Sequence, residues 1–97
     1  MLNQLVLVGR LTETPTLENE TSTIILAVQR PYKNENGEYE TDFIKCTLIG
    51  NVASNTTEYC RKGDMIGVKG RLQSRDGQLE VVADKVTFLA TKKEKEN

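Results

Sequence analysis

Most apolar residues of this chain recur at every second position, the period of a strand with one buried face. Residues 1–12 carry the unbroken run Leu5-Val6-Leu7-Val8, which predicts a first strand buried on both faces and bent at Gly9. Residues 13–20 are polar, contain Pro15 and read as a loop. Residues 21–30 form a second strand, with Ile24, Leu26 and Val28 on one face and Ile25, Ala27 and Gln29 on the other. Arg30-Pro31 is read as its end, because proline donates nothing to a ladder. Asn36-Gly37 then predicts a hairpin turn within a protruding arm over 32–41. Residues 42–50 are a third strand, with Ile44, Cys46 and Leu48 inward and Phe43, Lys45, Thr47 and Ile49 opposite.

Helical spacing is confined to residues 51–60, where Val52, Ala53, Thr56, Tyr59 and Cys60 make a stripe. Asn51 is the expected N-cap, Arg61 and Lys62 suit the C-terminal end, and Gly63 is the expected left-handed stop. Residues 64–75 are a fourth strand, with Ile66, Val68 and Leu72 inward and Lys69, Arg71, Gln73 and Arg75 outward. Asp76-Gly77 predicts a tight type I′ turn into a fifth strand over 78–90. Phe88 in that strand and Tyr59 on the helix read as core. The organisation is one folded domain over 1–90 and a charged, frayed tail over 91–97. Five strands with a helix between the third and fourth is the order of the OB-fold, a small, partly open all-β barrel. SH3-like barrels and small sandwiches share the strand count.

Composition narrows the chemistry. The 97 residues include no His, so Ser-His and Cys-His catalysis are excluded, and two Cys cannot complete a four-ligand zinc site. The acids form neither a catalytic pair nor a calcium-loop pattern, so no enzyme activity, metal or cofactor is expected. Cys46 and Cys60 are expected as reduced core thiols. With no apolar run of membrane or signal length, a cytoplasmic, nucleoid-associated protein without membrane contact is expected. The net charge of −1 argues at first against nucleic acid. Strand parity revises that, because it gathers cations on one side of two strands and leaves the acids on the arm and the last turn.

Four collinear segments then carry a resemblance: MLNQLVLVGRLTETPTL, ILAVQRPYKNENGEYETDFIKCTL, NTTEYCRKGDMIGVKGRLQSR and EVVADKVTFL. Together they resemble the bacterial single-stranded DNA-binding proteins, the Gram-positive type above all. The resemblance implies an OB-fold that binds single-stranded DNA without strong sequence preference and assembles as a homotetramer, with a dimer as the alternative. It implies an oligomer interface at Asn3, Leu5 and Leu7. Three departures stand out. The family's long aromatic arm between the last two strands is reduced here to Ser74-Arg75-Asp76-Gly77-Gln78, Ile49 replaces an aromatic residue, and the chain ends in KKEKEN where the family has an acidic, Phe-ended recruitment tail. Weaker DNA binding and no tail-mediated recruitment of repair proteins are therefore expected.

Sequence-tolerant binding of a single strand needs flat rings for bases and cations for phosphates. The stacking candidates are Phe43, Tyr32 and Tyr39. The phosphate candidates are Lys45, Lys69, Arg71, Arg75, Arg30, Lys33 and Arg10. Two other readings remain open at this point: a replication-restart accessory resembling primosomal replication protein B, and an oligomeric interaction module with little DNA binding.

Overall fold

The computed structural model describes residues 2–91, so most of the predicted tail lies outside the described residues. The chain forms β1 (Leu5–Leu11), β2 (Thr21–Lys33), β3 (Tyr39–Ile49), α1 (Asn51–Tyr59), β4 (Met65–Arg75) and β5 (Gln78–Ala90). The strands close into a barrel in the order β1-β2-β3-β5-β4. All pairings are antiparallel except β3 with β5, which closes the barrel in parallel through Cys46–Val81 and Thr47–Val82. Leu26, Cys46, Leu48, Ile66, Val68 and Val81 fill the interior, as the alternation of β2, β3 and β4 dictates. Helix α1 packs on β2, β3 and β5 and buries Ala53 and Thr56.

Two glycines let strands cross closely. A Cβ on Gly9 would collide with the Ala27 carbonyl oxygen, and one on Gly70 with that of Val82. Gly70 also sits where the β4–β5 register shifts by one residue: Lys69 faces Lys85 and Gly70 faces Ala83, which leaves Asp84 as the extra residue of a bulge in β5.

Several expectations need correction. Pro31 does not end β2; the strand continues to Lys33, and the missing donor is absorbed by a register shift between Gln29 and Lys33. Asn51 is the first helical residue, while the N-cap is Gly50 at φ 70°, with no side-chain cap. Gly63 does not stop the helix, which ends when Cys60 turns extended; Gly63, at φ 91°, lies in the turn closed by the Asp64 N–H donating to the Arg61 carbonyl. Tyr59, Leu72 and Phe88 are exposed rather than core. Tyr59 is the last residue of α1, and Leu72 and Phe88 lie towards the ends of β4 and β5. In β1, Leu5 and Leu7 pack on the core while Val6 and Val8 are exposed, so burial on both faces does not hold within one chain.

Asp76 at φ 54° and Gly77 at φ 80° form the expected type I′ turn, joining Arg75 directly to Gln78. Arg61 caps α1 as expected, its Nη1 donating to the carbonyls of Thr57, Glu58 and Cys60. Cys46 and Cys60 are free and buried, and burial pushes the Cys46 thiol up to about 11. Burial, then the Asp64 carboxylate, raises Cys60 as well.

Candidate nucleic-acid interface

The β2–β3 register builds the outer face of the barrel. Phe43 pairs with Ala27 and Lys45 with Ile25, so a ring and a cation stand beside small or aliphatic neighbours. Phe43 is 68% exposed in the middle of a strand. A folded domain gains nothing by holding a phenylalanine in water there. Next to Ala27, a shallow groove of about 420 Å³ is lined by Arg10, Gln29 and Thr41 among others.

The arm beyond Phe43 is held by a polar network. Arg30 forms a fork with Asp42, Nε to Oδ2 at 3.1 Å and Nη2 to Oδ1 at 2.9 Å, and its Nη1 meets Glu40 Oε1 at 2.6 Å. Glu40 Oε2 accepts from Asn34 Nδ2 at 3.2 Å. Asn34 Oδ1 accepts from the N–H groups of Asn36 and Glu38, and Gly37, at φ 78°, completes the turn. Glu40 and Asp42 are therefore clamps rather than merely solvating charges. The side-chain hydrogen bond from Arg30 holds the Asp42 carboxyl below the usual carboxylate range, and Asp42 in turn raises the Arg30 guanidinium. On this braced arm Tyr32 and Tyr39 are exposed, and the Lys33 ammonium sits 5.8 Å from the centre of the Tyr39 ring.

The β4–β5 hairpin is built differently. Thr47 pairs with Val82 and Val82 with Arg71, so Arg71 continues the row that runs from Lys45 along β3 and across β5. Arg71 Nη1 lies 3.6 Å from Asp84 Oδ1, and its Nη2 donates to Gln73 at 3.2 Å. Arg75 Nε lies 3.1 Å from Glu80 Oε2, close enough for an ion pair although its N–H is off the line of a hydrogen bond. Glu80 is buried and accepts from Thr47 Oγ1 at 2.7 Å.

The candidate cations thus fall into two groups. Arg30, Arg71 and Arg75 have carboxylate partners, and Arg10 donates to the Gly63 carbonyl at 2.9 Å. Lys33, Lys45 and Lys69 have no ion pair among the described residues. Lys85, which sequence parity missed, pairs directly with Lys69 and places two like charges side by side. Only the register across the β5 bulge at Asp84 could have found it. Lys69 and Lys85 lie on the β1–β4–β5 side, next to Val6, rather than beside Phe43. The exposed apolar side chains of β1 are Val6 and Val8, Leu5 and Leu7 are half-buried against the core, and Asn3 is engaged in a pair of hydrogen bonds with the Leu72 backbone.

The closed five-stranded barrel with one helix between β3 and β4 is an OB-fold. It superposes on the small single-stranded DNA-binding protein from Streptomyces coelicolor with a TM-score of 0.73, covering 92% of this chain and 95% of that one at 22% identity. The model of the single-strand binding protein family matches residues 2–89, and the chain belongs to that family. It is 42% identical to single-stranded DNA-binding protein B of Bacillus subtilis (strain 168), covering 95% of this chain and 94% of that protein. It is 44% identical to a single-stranded DNA-binding protein of Oceanobacillus iheyensis, of which it spans 66%.

Proposed function

We propose that this chain is a non-enzymatic protein that binds single-stranded DNA without sequence preference and protects it in replication, recombination or repair. The observation that carries the reading is Phe43, exposed in mid-strand beside Lys45 and below a braced arm bearing Tyr32 and Tyr39. Bases stack on these rings and phosphates follow Lys45 and Lys33. Because it binds only open strands, the protein favours hairpin melting by mass action. The test is titration of labelled oligo-dT at fixed salt. Wild type binds, and more weakly as salt rises. The double variant Phe43→Ala with Tyr32→Ala weakens binding by about 3 kcal/mol. An unchanged affinity contradicts the placement.

The reading includes self-assembly, with a homotetramer expected and a dimer as the alternative. β1 pairs with β2 only at Arg10 and Leu11, so the β2 side of Leu5–Val8 is an open edge, flanked by Val6 at 70% and Val8 at 50% exposure. Such an edge is suited to a second copy of the same strand. Mass in solution decides the number of copies, and Val6→Glu with Val8→Glu reduces it to that of the monomer.

A further inference from the structure

The three arginines that meet carboxylates are closed to different degrees. Arg30 is held by Asp42 and Glu40 together, and letting go of it opens the base of the arm. Arg75 covers Glu80, whose side chain is 3% exposed, and withdrawing it strands a buried carboxylate. Arg71 differs from both. Its partner Asp84 lies at 3.6 Å, the side chains are 44% and 60% exposed, and its one other side-chain contact among the described residues is the exposed hydrogen bond to Gln73. Exposed pairs of this kind contribute little to stability.

Resting on the single-strand reading above, we infer that Asp84 sets the affinity of the interface by masking Arg71 as a phosphate ligand. A guanidinium fork donates to a phosphodiester as readily as to a carboxylate, so an arriving strand competes with Asp84 for Arg71. The row Thr47–Val82–Arg71 keeps that exchange on the face that starts at Lys45. Two terms make the exchange costly. The carboxylate contact is given up, and Asp84, left beside the phosphate, repels it. Asp84 is thus a brake on binding, whereas Asp42 and Glu80 are parts of the scaffold.

The test uses Asp84→Asn, which removes the charge and keeps the shape. In titrations with labelled oligo-dT, it raises affinity about two- to fivefold at low salt. It also steepens the log–log salt dependence by about 0.7, as one added phosphate contact on a single strand requires. Glu58→Gln makes the same charge change at an exposed position of α1 that has no ion pair among the described residues, and moves neither quantity as far. Adding Arg71→Ala to Asp84→Asn abolishes the gain. Unchanged affinity in Asp84→Asn, an equal gain from Glu58→Gln, or a gain that survives Arg71→Ala overturns the inference while wild-type binding stands. Absence of oligo-dT binding by wild type and Asp84→Asn alike overturns the single-strand reading itself, and the inference with it.

Discussion

In both long hairpins the arginines meet carboxylates and the lysines have no ion pair among the described residues; what differs is what surrounds those lysines. On the β2–β3 hairpin an arginine braces the arm, and the lysines beside the exposed rings, Lys33 and Lys45, have no ion pair among the described residues. On the β4–β5 hairpin both arginines meet acids, and a two-residue turn leaves no length for a ring. Two conclusions follow from the contrast. A row of cations along a strand measures potential phosphate sites only after their partners are known. And the reach of a turn decides whether rings can be carried beyond the ends of the strands, since a type I′ turn needs small residues at positive φ.

The contrast breaks most visibly at Arg75. If Arg75 is scaffold, Arg75→Ala leaves the buried Glu80 carboxylate uncompensated and lowers stability by about 3 kcal/mol in urea denaturation. The folded variant keeps its oligo-dT affinity. Phe43→Ala shows the reverse pattern. It weakens oligo-dT binding by about 2 kcal/mol and leaves the urea midpoint nearly unmoved, because the ring is exposed. A finer cut comes from the salt dependence of binding. Lys45→Ala makes the log–log slope shallower by about 0.7, whereas Arg75→Ala leaves it alone.

The smallest effect concerns the arm clamp and acid. Asp42 is held below its unfolded value of about 3.9, chiefly by the Arg30 hydrogen bond. Its stabilising contribution is therefore complete above that value and is lost as pH falls through the lowered native one. Asp42→Asn removes this part of the acid sensitivity. Urea midpoints measured from pH 7 down to about pH 2.5 fall less steeply in the variant than in wild type.

Much of this architecture was legible in the pattern of residues. Alternation placed Ile24, Leu26, Ile44, Cys46, Leu48, Ile66 and Val68 on the inward face, and Asp76-Gly77 announced its turn. Parity tells which side a residue faces, but not whether anything lies opposite. That is why Leu72, Phe88 and Tyr59 read as core and are exposed. It is also why the exposed pair in β1 is Val6 and Val8, since a continuous apolar run has no parity signal to distinguish its faces. The outward placement of Phe43 and Lys45 was readable because a neighbouring inward triad fixes their direction. The contacts Arg71–Asp84 and Arg75–Glu80 were not readable: Asp84 is the extra residue of a one-residue bulge in β5, and Arg75 reaches Glu80 diagonally, past its direct partner Gln78.

The central claim is that bases stack on the β2–β3 face, and the chain supplies its own probe for it. It contains three tyrosines and no tryptophan. In Tyr59→Phe, only Tyr32 and Tyr39 emit. The direct measurement is tyrosine emission from this variant as oligo-dT is added, with saturation established independently by anisotropy of the labelled oligonucleotide. Stacking predicts quenching that tracks saturation and stops with it. Saturated binding with unchanged emission would place the DNA elsewhere on the barrel.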